Sequence, residues 1–152
     1  SESVNFNVLY QIFNTVSIHN ILWGETYAKL FTYFIPRSIW PDKPLTVTQV
    51  AGEWFAPAID ISLATTLIGE IHMNFFVFGI ILLPILLLIT KWVLEKVFYG
   101  SDFEEVLLFL IGILIFRMSY SDVILYVLFI ALFYFSVIFI KRVTKLIFLN
   151  KN

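Results

Sequence analysis

The stretch NFFVFGIILLPILLLIT, Asn74 to Thr90, decides the fold. It carries no charged side chain, and as a helix rising about 1.5 Å per residue it reaches about 25 Å, enough to cross a bilayer core. Pro84 lies inside it and is expected to kink the helix, with neighbouring helices satisfying the carbonyl it frees. A second such run, VILYVLFIALFYFSVIFI, Val123 to Ile140, reaches about 27 Å. Between them VLLFLIGILIF, Val106 to Phe116, is short for a span. Extended to Phe103 and Met118, it approaches the lower limit of about 17 residues.

Composition agrees. Of 152 residues, 60% are hydrophobic, 14% are charged and 17 are Phe, and the mean hydropathy is +0.90. One small soluble core could not bury that much apolar surface. The expected fold class is therefore an all-α integral membrane protein with about three transmembrane helices at 74–90, 103–118 and 123–140, preceded by a long loop region, 1–72. A net charge of -1 with scattered cations gives no case for nucleic acid. With no Cys, disulfides and thiolate metal sites are excluded. The opening SESVNF has neither a basic n-region nor an apolar h-region, and it reads as the start of a C-terminal portion of something longer.

Orientation follows from the cations. Lys91 and Lys96 follow the first span, and Lys141, Arg142, Lys145 and Lys151 follow the third, whereas the turn between the second and third spans holds only Arg117. Lys-rich ends face the cytoplasm. The segment from Ser1 to His72 and the loop RMSYSD, Arg117 to Asp122, are then expected outside, with a cytoplasmic C-terminal tail.

Within the outer segment, Val8, Leu9, Ile12, Phe13 and Val16 recur at helical spacing, with Asn7, Gln11, Asn14 and Thr15 opposite them, which predicts an amphipathic helix ending by Gly24. Further on, FIPRSIWPDKP, Phe34 to Pro44, places three prolines around Trp40 and two cations, and the residue before each proline is pushed toward extended backbone. A rigid extended loop is the expectation. From Ser62 a second helix is expected, with Thr66, Glu70 and Asn74 on one face, running directly into the first span.

The succession GETY (Gly24 to Tyr27), FIPRSIWPDKP, TTLIGEIHMNFFVFG (Thr65 to Gly79) and an Arg opening an outer loop before the last span resembles the C-terminal third of the bacterial oligosaccharide repeat-unit polymerases, the Wzy-type O-antigen polymerase family. Two places depart from the family pattern: His72 after the glutamate, and RMSYSD at the outer turn. The resemblance implies a GT-C-like architecture, with the N-terminal helices of the same protein missing here. It implies a metal-independent glycosyltransferase without cofactor, in the bacterial inner membrane with its active face periplasmic. Its partners would be undecaprenyl-diphosphate-linked glycan donor and acceptor, membrane lipids and a chain-length regulator.

Such a reaction expels a diphosphate. Without a metal, the guanidinium, which is always charged and able to bind two oxygens, suits that leaving group best. Arg37 and Arg117 are the only two arginines expected outside, and with Glu70 they form the expected catalytic set. Lys43 would assist as a point charge, Trp40 would stack on a sugar or anchor in the interface, and Tyr27 and Asn74 complete the expected substrate contacts. Glu70, a turn above the membrane and partly buried, is the candidate base, with Glu53 and His72 in reserve. Each has a plainer reading: an Arg near a span end often snorkels to headgroups, and Glu70 with Thr66 and Asn74 can simply bond helices together. Two other functions remain open. One is an O-antigen ligase, which FIPRSIWPDKP argues against; the other is a non-enzymatic subunit or transporter binding a polyprenyl-diphosphate glycolipid. Apolar spans, Ser136 apart, favour a site at the outer rim over a pathway through the bundle.

Overall fold

A computed structural model describes residues 2–59, 61–99, 102–115 and 117–149. Ser1, Phe116 and Lys151, used above for the outer segment, the middle span and the tail, lie outside them. The described chain is all-helical, 72% helix with no strand. Its helices are α1 (Glu2–Thr15), α2 (Glu25–Thr32), α3 (Val47–Phe55), α4 (Leu67–Phe75), α5 (Gly79–Phe98), α6 (Asp102–Ile115) and α7 (Tyr120–Leu149).

The amphipathic α1 forms as its spacing predicts. Val8, Ile12 and Val16 are buried with Ile21, Val47, Ala51 and Met73 in one cluster that joins α1, α3 and α4. Gly69 allows the close approach: a Cβ there would come within 3.1 Å of Ile12 Cδ1. The helix ends at Thr15 rather than nearer Gly24, because Asn20 closes a turn by accepting from Ser17 N–H at 2.6 Å and donating to the Thr15 carbonyl at 3.0 Å. Gly24, at φ 83, instead sits just before α2. Left-handed backbone of that kind favours glycine.

The stretch from Phe34 to Pro44 folds as successive turns, not as an extended loop. Ile39 and Trp40 N–H both donate to the Pro36 carbonyl, and Lys43 N–H donates to that of Trp40. Proline restrains the residue before it but also presets its own φ for the second position of a turn, where Pro41 sits. Next, Thr46 starts α3 through a reciprocal capping box with Gln49. At Gly52 an added Cβ would lie 1.9 Å from the Ile61 carbonyl oxygen, so α3 is locked against the returning chain.

The helix expected from Ser62 begins at Leu67, capped by Thr66, and it does not run into α5. At Phe76 the backbone takes φ 50 and ψ -138, a single 3-10 turn follows, and α5 starts at Gly79. Ile71 packs directly over Gly79, two positions that a continuous helix would hold about 12 Å apart. α4 therefore folds back on α5.

Among the described residues, two stretches, Leu67–Phe98, whose crossing part after the elbow is α5, and Tyr120–Lys145, are long and apolar enough to cross a membrane by length and composition. The expected middle span, 103–118, runs through 116, outside the described residues; its described helix, α6, reaches about 21 Å, with Glu105–Leu114 as its apolar part. Within the two long stretches only 22% and 11% of the most apolar window is buried inside the protein. Faces left this bare, with Ile80 at 77% and Phe133 at 72% exposure, need lipid or further helices as their surroundings. α5 and α7 run in the same direction but are staggered. The Tyr120 hydroxyl at the start of α7 reaches the Leu86 carbonyl at 3.1 Å and Thr90 Oγ1, whereas Tyr134 meets Phe98. α7 thus begins beside the middle of α5.

Candidate functional site

The expected site residues fall into two groups. Arg37, Trp40 and Lys43 lie on the turns between α2 and α3. Tyr27, Glu70 and Asn74 lie inside the bundle, and Arg117 sits in the exposed turn between α6 and α7, its N–H donating to the Leu114 carbonyl.

The inner group is a buried polar network, in which the Tyr27 hydroxyl and Asn74 Oδ1 find no hydrogen-bond partner among the described residues. Glu70 is wholly buried rather than partly exposed, and its carboxylate turns inward to the N-terminus of α7. Oε2 accepts from Ser121 N–H at 3.0 Å and Oε1 from Thr26 Oγ1 at 3.4 Å, with the Ser121 hydroxyl and Tyr120 N–H also directed at it. Asn74 Nδ2 donates to Thr26 Oγ1 and to the Glu70 carbonyl, both at 2.8 Å. A carboxylate facing the free N–H groups of a helix start is well placed electrostatically, so Glu70 acts here as a cap supplied from another helix. RMSYSD is accordingly less of a loop than expected: Ser119, Tyr120 and Ser121 are buried, and Ser119 Oγ donates to Asp122 as α7 opens. Tyr27 stacks on Phe75 and meets Tyr120 edge-on. Burial first, then the Glu70 charge, pushes its hydroxyl upward, so it stays protonated. Asn74 is fully buried, and Tyr27 is half-buried with its hydroxyl enclosed.

The outer group is cationic, with Arg37 and Trp40 exposed and Lys43 half-buried. Arg37 NH1 donates to the Pro41 carbonyl at 3.0 Å and Lys43 Nζ to that of Ile35 at 2.8 Å, so both cations are held by their own loop. Lys29, half-buried on α2, donates to Gln49 Oε1 at 3.3 Å. Burial, then the positive charges of Lys43 and Arg37, hold its ammonium below the usual lysine range, while Asp122 opposes them. Three cations therefore share one field near the start of α7. Beside them, Arg37 lines a cleft of about 320 Å³ with Gln49, Gly52, Glu53, Ile59, Ile61 and Ser62. Trp40 does not line this cleft and stays partly exposed at the loop surface.

Glu53, expected only as a reserve base, lies in this cleft. It makes no hydrogen bond or ion pair among the described residues, and it faces the same cleft as Arg37. The signal was the box Thr46–Gln49, which marks α3 and thereby sets Gln49 and Glu53, four apart, on one face. No cluster of three or more His, Asp or Glu that could hold a metal occurs among the described residues. Compared with protein-family models, curated proteins and solved structures, the chain matches none.

Proposed function

We propose that this chain is part of an oligosaccharide repeat-unit polymerase of the bacterial inner membrane, with a GT-C-like architecture. It would transfer a growing glycan from undecaprenyl diphosphate to the terminal hydroxyl of a lipid-linked repeat unit at the periplasmic face. The observation that carries this reading is the pair Arg37 and Lys43, each held to a carbonyl of the turns between α2 and α3, with the Lys29 ammonium on α2 feeling both charges. A preorganised cation meets a diphosphate without being ordered at each turnover. In this scheme Arg37 and Lys43 hold the leaving diphosphate, with Lys29 as a third charge and Arg117 as a contact from the α6–α7 turn. Glu70 and Asn74 set the position of α7 against α2.

The complete enclosure of Glu70 favours a second reading, a non-enzymatic subunit that binds a polyprenyl-diphosphate glycolipid. A glycan ladder separates the two. In cells lacking their own polymerase and supplied with the full-length protein, Arg37→Lys at matched membrane expression should collapse the ladder to single repeat units, because a point charge does not replace a bidentate fork. An unchanged ladder would make Arg37 a snorkelling anchor. A wild type that gives no ladder, while single units still reach the surface, would favour the subunit reading.

A further inference from the structure

Resting on the polymerase reading, we infer that the cleft between α3 and the returning chain is the acceptor-sugar site and that Glu53 is the catalytic base. The cleft is polar where a sugar would bond and apolar beneath. Gln49, Glu53 and Ser62 offer an amide, a carboxylate and a hydroxyl, while Leu45, Ile59 and Ile61 line it with apolar surface. A volume of about 320 Å³ falls at the small end of ligand sites. Mixed linings of this kind suit a pyranose, with hydroxyl edges and carbon faces.

Placement favours chemistry over structure for this carboxylate. Glu53 stands on the last turn of a helix capped at Thr46 and clamped at Gly52 against the Ile61 carbonyl, so its backbone is fixed. Among the described residues its side chain makes no hydrogen bond or ion pair, whereas Glu70 bonds to both α2 and α7. Arg37 lines the same cleft without neutralising it, since its NH1 is held by Pro41 and no ion pair joins the two among the described residues. The lining thus offers both a proton acceptor and a cation for the leaving group. In the transfer, Glu53 takes the proton of the acceptor hydroxyl, and the oxygen forms a bond to the anomeric carbon. The carbon–oxygen bond to the diphosphate breaks, and its electron pair leaves on the diphosphate beside Arg37 and Lys43. Glu53 then returns the proton to water through its exposed edge.

The test uses the full-length protein in proteoliposomes, with lipid-linked repeat units extracted from host cells that lack it, and undecaprenyl diphosphate as a binding probe. Glu53→Gln should lower turnover about 100-fold or more, within the usual range for loss of a general base, and leave undecaprenyl diphosphate binding within about threefold. Glu53→Ala should regain turnover with added formate, which a purely structural role would not allow. Wild-type turnover in Glu53→Gln, or lost turnover that formate does not restore, would overturn the assignment and leave the polymerase reading standing. Wild type that binds undecaprenyl diphosphate yet forms no polymer would fell both together.

Discussion

The part of the chain before Phe76 and the two long helices after it are built from similar residues and pack by opposite rules. Before the elbow, Ile12, Val47, Ala51 and Met73 are fully enclosed around one point, and glycines at 52 and 69 set how closely the backbones approach. After it, α5 and α7 leave most of their apolar side chains bare. Apolar content alone therefore does not place a residue in a core; here the neighbouring element does so before the elbow and the surrounding solvent after it.

Glycine substitution tests that difference with the largest effect. Gly52→Ala forces a Cβ into the Ile61 carbonyl and should cost about 3 kcal/mol or more, beyond ordinary overpacking. Gly112→Ala on α6 meets nothing within 4 Å and should be neutral or stabilising by up to about 1 kcal/mol, through helix propensity. Thermal unfolding in detergent, followed by Trp fluorescence, measures both. Equal losses would mean that the two regions pack alike.

Glu70 joins the regions, and its removal comes next in size. Glu70→Ala leaves Ser121 N–H and Thr26 without their acceptor and should cost about 3 kcal/mol. Glu70→Gln keeps an oxygen facing Ser121 and should cost about 1 kcal/mol, with turnover per folded molecule near wild type. Melting temperature and rate, measured on the same samples, sharpen the comparison. A normally folded but inactive Glu70→Gln would return the base role to the interior.

The smallest effect is a titration in the water-facing part. Lys29 has its folded pKa lowered by burial and by Lys43 and Arg37. Protonation there opposes folding: the penalty is complete below the folded pKa and fades as pH rises toward the unfolded value of about 10.4. Lys29→Gln should therefore raise the melting temperature slightly at pH 7, and the gain should vanish above the lysine range. A gain independent of pH would place its cause in packing.

Much of the fold was legible locally. The period of α1 and the apolar runs of α5 and α7 are written in consecutive residues. α3 also had its sign in Thr46 and Gln49, overshadowed by the proline-rich stretch before it. The elbow at Phe76 had none: MNFFVFGII reads as uninterrupted helix, and a Phe with positive φ is imposed by the packing of Ile71 over Gly79. The candidate site divides in the same way. The proline frame around Arg37 was visible in sequence, but the meeting of Arg37 and Glu53 depends on how the turns at Pro36 and Pro41 close. The inward rotation of Glu70 depends on a helix start 51 residues further along the chain.

That separation also carries a timetable. A chain made at about 5–20 residues per second delivers Ser121 roughly 3–10 seconds after Glu70. During that interval the carboxylate has emerged on an apolar helix with no N–H of α7 to receive it. Synthesis thus passes through a state in which Glu70 must wait in water or against the insertion machinery. Slowing translation between α4 and α7 would lengthen the exposure of this carboxylate without changing one contact of the finished molecule.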